Sequence, residues 1–247
     1  MPGETCFAAI ISVILKKMAD LKKLESKIGI SFKNKDLLLQ AFVHRSYLNE
    51  NPGFRLAHNE RLEFLGDAVL ELIVTDFLYK KYPDKQEGEL TAYRAGVVNA
   101  IVLSEVGKEL GFSEFLLLSR GETKDIGKAR QYILANTVES LIGAIHLDSG
   151  YTVAEKFVTE FVLPRLDDVV TKGLWRDPKS FVQEMAQEHF GVTPAYKVLR
   201  ESGPDHNKIF ISGIYFGETL VAEGQGRSKQ EAETAAALRA IELNHWR

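Results

Sequence analysis

The feature that most constrains the fold is a change of hydrophobic period about two thirds of the way along the chain. Up to about residue 170, apolar residues recur at helical spacing in Ile28–Tyr47, Asn59–Tyr82, Tyr93–Leu110, Gln131–Leu147 and Val153–Val170. Breakers separate these segments at Asn51-Pro52-Gly53, Tyr82-Pro83-Asp84 and Ser149-Gly150. Past Thr171–Pro178 the pattern changes. Lys179–Phe190 reads as a helix, Tyr196–Ser202, Lys208–Phe216 and Glu218–Gly224 as strands, and Lys229–Leu243 as a closing helix. The expected fold is therefore multidomain: an all-α domain followed by a small α+β unit of order α-β-β-β-α, with both helices on one face of an antiparallel sheet. In the middle strand Phe210, Ile214 and Phe216 share one face and Ile209, Ile211 and Tyr215 the other; alternation does not say which is buried. The expected boundaries are 1–23 for an N-terminal extension, 24–170 for the helical domain, 171–177 for a linker and 178–246 for the C-terminal domain.

Composition narrows the possible functions. With 31 Lys+Arg against 34 Asp+Glu, the net charge of −3 excludes a protein held to nucleic acid by bulk positive charge; such a site must be a local patch. The single cysteine, Cys6, excludes an intrachain disulfide and a CxxC zinc site, and it fits a reducing cytosol. The apolar run Phe7–Leu15 is too short for a membrane span of about 20 residues, and it lacks a basic start and a small-residue cleavage site. A cytoplasmic protein without membrane attachment is expected.

The most informative stretch is Asn59–Leu72, NERLEFLGDAVLEL. On a helix Glu60, Glu63 and Asp67 fall within an arc of about 60°, with Glu71 on the same stripe. Phe64, Leu65, Ala68, Val69 and Leu72 cover the opposite side. Like charges at i,i+3 and i,i+4 repel unless a cation sits on them, and clustered oxygen ligands suit a hard cation such as Mg or Mn. Gly66 in the same helix costs about 1 kcal/mol relative to Ala, which points to close approach of another helix or of a substrate.

A second helix, Gln131–Leu147, carries Asn136 and Glu139 at i,i+3 among Ile133, Leu134, Val138, Leu141, Ile142 and Ile145. Polar groups on so apolar a helix are costly to bury without a partner. Gly143 and Ala144 allow close packing. Packed antiparallel, the two helices would hold one ion or a pair between Glu63, Asp67, Asn136 and Glu139. Spacing alone leaves an ordinary solvated acidic face as the alternative; the apolar surroundings of Asn136 and Glu139 narrow that choice.

In the C-terminal part, nine Lys/Arg face ten Asp/Glu over residues 176–247, so only position carries a signal. Arg227 and Lys229 flank Ser228 at the start of the Ala-rich helix, where Ser228 and Glu231 form an S-x-x-E capping box. The helix dipole disfavours cations there unless a phosphate meets both the amides and the cations. Two solvated surface cations are the other reading.

The run NERLEFLGDAVLEL closely resembles the signature of the ribonuclease III family. GISF (Gly29–Phe32), AFVHRSY (Ala41–Tyr47), QEGEL (Gln86–Leu90) and ILANTVESLIGAIHLD (Ile133–Asp148) follow in the family's order. PKSFVQEMAQEHF, TPAY, GPDHNK and GQGRSKQEAETAAA resemble a double-stranded RNA-binding domain. The resemblance implies a divalent-metal endoribonuclease (Mg, with Mn the other suitable cation) that cuts double-stranded RNA. It further implies a homodimer through the endonuclease domain, 5′-phosphate and 3′-hydroxyl ends with short 3′ overhangs, and processing of ribosomal RNA precursors, mRNA, tRNA and other structured transcripts.

By motif position, Glu63, Asp67 and Glu139 match the family's metal-binding carboxylates, with Asp67 and Glu139 the most directly tied to hydrolysis. Glu60 matches an acid lining the cleavage site, and Glu87 one contributing to the RNA-cutting valley across the dimer. His44, Arg45 and Ser46 match a family box and read as structural. In the second domain Gln183 and Glu184 match minor-groove contacts, His206 a second minor-groove contact and Lys229 a phosphate contact. Gln230 stands where a second basic residue is usual, a gap that Arg227 fills. The family pattern has Asp where this chain has Asn136. An amide oxygen can ligate a cation but brings no charge, so weaker metal binding is expected. The alternatives are a non-cleaving duplex-RNA binder with a site weakened by Asn136, and a metal-dependent phosphohydrolase of small molecules.

Overall fold

The computed structural model describes residues 21–124, 127–171, 173, 177–204 and 208–246. Contacts divide the chain into two compact units, residues 1–171 and 172–247. The run Phe7–Leu15 lies outside the described residues, and of the linker positions only Thr171, Gly173 and Asp177 fall within them.

The first unit is helical. A helix α1 runs through the described residues 21–28 and buries Leu21, Leu24 and Ile28. It is followed by α2 (Lys35–Gln40), α3 (Arg45–Glu50), α4 (Glu60–Lys81), α5 (Glu87–Val97), α6 (Ala100–Glu109), α7 (Arg120–Lys124), α8 (Lys128–Ser149), α9 (Tyr151–Phe161) and α10 (Leu166–Thr171). Three of the expected long segments are divided. Ile28–Tyr47 breaks twice: at Gly29–Asn34, where Gly29 takes a φ of 65° and Asn34 caps α2, and at Ala41–His44, where Val43 forms an isolated parallel bridge with Leu117 and His44 caps α3. Tyr93–Leu110 breaks at Asn99, whose side-chain oxygen accepts from the Ile101 and Val102 amides and starts α6. Val153–Val170 breaks at Leu163–Arg165, a 3₁₀ turn built on Pro164. Apolar periodicity does not register such breaks, which are set by capping side chains, by Pro164 and by a bridge to a distant residue.

The core lies around α8, with Leu134, Val138, Leu141, Ile142 and Ile145 buried, and α4 crosses it. At the crossing the helices touch backbone to backbone. A Cβ on Gly66 would lie 1.8 Å from the Glu139 carbonyl oxygen, and one on Gly143 2.2 Å from that of Leu62. Buried Asn59 fixes where α4 begins: its amide donates to Val43 O (2.9 Å), its Nδ2 donates to Ala41 O (3.2 Å), and its carbonyl accepts from Ser140 Oγ on α8 (3.4 Å).

The second unit comprises α11 (Pro178–Phe190), β1 (Ala195–Ser202), β2 (Ile209–Phe216), β3 (Thr219–Gly226) and α12 (Lys229–Leu243), its strands forming an antiparallel sheet of order β1-β2-β3. Ile214 and Phe216 face the core with Val182 of α11 and Ala236, Ala237 and Ala240 of α12, which settles the face of β2 that alternation left open. On the other face, a Cβ at Gly213 would meet Leu199, Tyr215 and Leu220. The alanines of α12 match the close approach of β3, since a Cβ on Gly224 would lie 2.0 Å from the Ala236 amide nitrogen. Among the described residues no helix is long and apolar enough to cross a membrane.

Candidate active site and RNA-binding face

The α4–α8 crossing brings Glu63 and Asn136 into direct contact: Asn136 Nδ2 donates to Glu63 Oε1 at 2.9 Å. A carboxylate has only acceptors to offer, so the amide must turn its NH₂ toward Glu63 and its oxygen away. Beside this pair opens a cavity of about 360 Å³, lined by Glu60, Glu63 and Asn136 together with His44, Glu122 and Tyr132. Glu60 stands at this opening, 3.5 Å from Arg45 Nη1 and 3.7 Å from His58 Nδ1.

The electrostatics identify the strained member of the cluster. Burial, then the charges of Asp67 and Glu63, push the Glu139 carboxyl up to about 7. Burial also raises Glu63; the hydrogen bond from Asn136 opposes that rise, while Glu60 and Asp67 add to it. Among the described residues no three His, Cys, Asp or Glu side chains are gathered as tightly as metal ligands are. Like charges held apart, with one carboxylate turned to an amide instead, make up that arrangement. The donor set nevertheless fits a hard divalent cation: it is all oxygen, and the charge that makes Glu139 difficult to ionise is what a cation would neutralise.

Glu87 is not part of this cluster. It accepts a hydrogen bond from Thr91 Oγ1 (3.1 Å) and lines a separate cavity of about 450 Å³ with Tyr79, Lys85 and Arg94. Sequence reasoning assigned His44 a structural part only. The structure supports that part and adds a place at the site. His44 caps α3 through Nδ1, which accepts from the Ser46 amide, and Ser46 Oγ accepts from the Ser119 amide (3.1 Å). The same ring lines the cavity, and its pKa is lowered chiefly by burial. Tyr132 and Glu122 were missed. Tyr132 precedes Asn136 by one helical turn, and that spacing was the available signal. Glu122 had none, being brought in by the short helix α7.

In the second unit Gln183 and Glu184 are exposed on α11, and Arg227 and Lys229 are exposed at the start of α12. Ser228 Oγ accepts from the Glu231 amide (3.1 Å), as the capping box requires. The Glu231 carboxylate reaches back to the Arg227 amide (2.9 Å), one residue before the cap. Lys229 Nζ lies 3.9 Å from Glu201 Oε1. His206 lies outside the described residues.

Residues 34–166 match the family described as Ribonuclease-III-like, and residues 178–244 the double-stranded RNA binding motif. Ribonuclease 3 of Borreliella burgdorferi is 42% identical over 222 residues, covering 90% of each chain. Ribonuclease 3 of Carboxydothermus hydrogenoformans is 42% identical over 91% of this chain and 95% of its own. Among solved structures, the nuclease domain of ribonuclease III from Campylobacter jejuni, in work on a region involved in its dimer formation, aligns with a TM-score of 0.53 at 36% identity. It covers 58% of this chain and 96% of that one. The fold and site define a helical nuclease unit joined to a duplex-RNA-binding unit. The chain belongs to the ribonuclease III family.

Proposed function

We propose that this protein is an endoribonuclease that hydrolyses phosphodiester bonds in double-stranded RNA with the help of a divalent cation, Mg or Mn. The observation that carries this reading is the backbone-to-backbone crossing of two helices that bear the family's acidic motifs, where half-buried Glu139, its carboxyl pushed up to about 7 by burial and by Asp67 and Glu63, meets the acidic stripe of α4. A cation bound here would neutralise charge on the phosphodiester and lower the pKa of water, so that hydroxide would be available near neutral pH. Glu63, Asp67 and Glu139 would hold it, with Asn136 hydrogen-bonded to Glu63 beside them. Glu60, at the mouth of the cavity, limits how the backbone enters. Water oxygen bonds to phosphorus, the bond to the 3′ oxygen breaks, and that oxygen takes up a proton, leaving a 5′-phosphate and a 3′-hydroxyl. Precursors of ribosomal RNA and other structured mRNA and tRNA transcripts, in the cytoplasm, supply such duplexes.

The second unit supplies affinity. Its fold type reads duplex shape over about 16 base pairs, with Gln183, Glu184 and His206 toward minor grooves and Arg227 and Lys229 toward phosphates. Changing both Arg227 and Lys229 to Ala should weaken binding similarly for unrelated duplex sequences. It should also reduce the slope of log K against log salt by up to about 2. A shift of sequence preference at unchanged slope would return both residues to ordinary surface cations.

Assembly follows from a third face of α4. Phe64 is 82% and Leu72 57% exposed, with exposed Ala68 between them on one stripe. This is an apolar seam of the kind that marks a protein–protein contact. Pairing of two copies through it places two sites on one duplex, one per strand, which accounts for short 3′ overhangs. Phe64→Asp should convert a dimer to a monomer in sedimentation equilibrium; an unchanged mass would move the interface elsewhere. The reading as a whole is tested by incubating the purified chain with a long perfect RNA duplex with and without Mg. Cleavage only with Mg, giving 5′-phosphate ends, is the expected result; binding without cleavage would favour the silent binder.

A further inference from the structure

Resting on the metal-site reading above, we infer that Asn136 is a positioning residue: its amide N–H holds the Glu63 carboxylate in place before any cation arrives. The geometry is the 2.9 Å bond from Asn136 Nδ2 to Glu63 Oε1 between two half-buried side chains on different helices. Two carboxylates could not meet this way. Each would present only acceptors to the other, and they would separate until a cation or a proton came between them. An amide at position 136 therefore replaces a contact that needs a cation with one that does not. The bond uses one oxygen of Glu63 and leaves the second free, and it turns the Asn136 oxygen away from Glu63. A ligand fixed by a hydrogen-bonded neighbour loses less freedom when the ion binds, and such outer partners typically contribute about 10–100-fold to metal affinity. The lost negative charge is thus offset by a side chain already held in place.

The test exchanges the partners. Thermal unfolding of the full chain is followed in EDTA at pH 8 for the wild type, Asn136→Asp, and the double variant Glu63→Gln/Asn136→Asp. The first variant sets two carboxylates against each other and should lower the melting temperature of the helical unit by about 3–6 °C. The double variant restores one amide and one carboxylate with donor and acceptor reversed, and it should recover most of that loss. Mn binding, followed by calorimetry on the same chains, should be within about tenfold of wild type in the double variant, and should fall by about 10–100-fold in Asn136→Ala.

A metal-free Asn136→Asp chain as stable as wild type would overturn the inference, as would a double variant no more stable than the single one. Unchanged Mn affinity in Asn136→Ala would also overturn it. Because melting is measured without metal or RNA, failure here is separate from failure of the nuclease reading, which the wild-type cleavage assay alone decides.

Discussion

Replacing Glu139 by Gln should abolish cleavage of duplex RNA while leaving duplex binding close to wild type, since the RNA-binding face belongs to the other unit. The substitution keeps the size of the side chain and removes a charge that is already difficult to maintain. Its second readout is pH. In the metal-free chain the Glu139 carboxyl sits at about 7 against an ordinary value of 4.5, so the folded state holds this proton more tightly than the unfolded chain. Stability is then fully present below about 4.5 and falls as pH rises to about 7. Saturating Mg should flatten this slope, because the cation takes the place of the proton, and Glu139→Gln should remove the Glu139 part of it without metal. For the same reason the apparent affinity of the wild type for Mg should climb with pH up to about 7. Retained turnover in Glu139→Gln would remove this residue from the centre of the chemistry. A slope unchanged by the substitution would assign the raised carboxyl elsewhere.

Gly66→Ala and Gly143→Ala should be the most damaging single-methyl changes in the helical unit. Alanine ordinarily stabilises a helix interior relative to glycine by about 1 kcal/mol. Here the new carbon would meet backbone, 1.8 Å from Glu139 O or 2.2 Å from Leu62 O, and no side chain can turn aside to make room. Overpacking of a side-chain contact costs about 1–3 kcal/mol. Two helices forced apart along their backbones should lose more than about 3 kcal/mol, a fall in melting temperature of at least about 6 °C. Gly88 of α5 is the control, having nothing within 4 Å of its would-be Cβ, and Gly88→Ala should leave melting unchanged or raise it. If Gly66→Ala behaved like that control, the helices would not touch as closely as described. Because the Gly66 contact is with the backbone of Glu139, cleavage should fall in Gly66→Ala even at temperatures where the variant remains folded.

The contrast between what sequence could and could not read has physical causes. The closing helix Lys229–Leu243 is found as expected, since its cap, its alanine face and its end all signal locally. The segment Ile28–Tyr47 reads as one helix from its apolar spacing, yet it leaves the helix at Gly29–Asn34 and again at Ala41–His44. There the backbone groups of Phe42, Val43 and His44 are taken by Leu117 and Asn59, which lie far away in sequence. The acidic stripe of α4 was legible because helical phase alone gathers it. The bond between Asn136 and Glu63, two residues 73 positions apart, was not legible, because it depends on two glycines that let separate helices meet. Phe64, Ala68 and Leu72 were placed opposite the acids; they are exposed, and the helix buries Leu62, Gly66, Val69, Leu70 and Ile73.

Helix α4 has no blank side. Leu62, Gly66, Val69 and Ile73 face inward, Glu60, Glu63 and Asp67 carry the acids, and Phe64, Ala68 and Leu72 form the outer stripe. A slip of one residue in its starting point would turn every side chain by about 100°, sending the acids toward the core and the outer stripe toward the cavity. The helix must therefore enter at a fixed angular phase, and the residue that sets it is Asn59, whose amide and side chain are clamped to Val43 O and Ala41 O. A buried asparagine at the edge of the acidic cluster acts as the index pin of the site: loosening it would leave each acid chemically intact and aimed in the wrong direction.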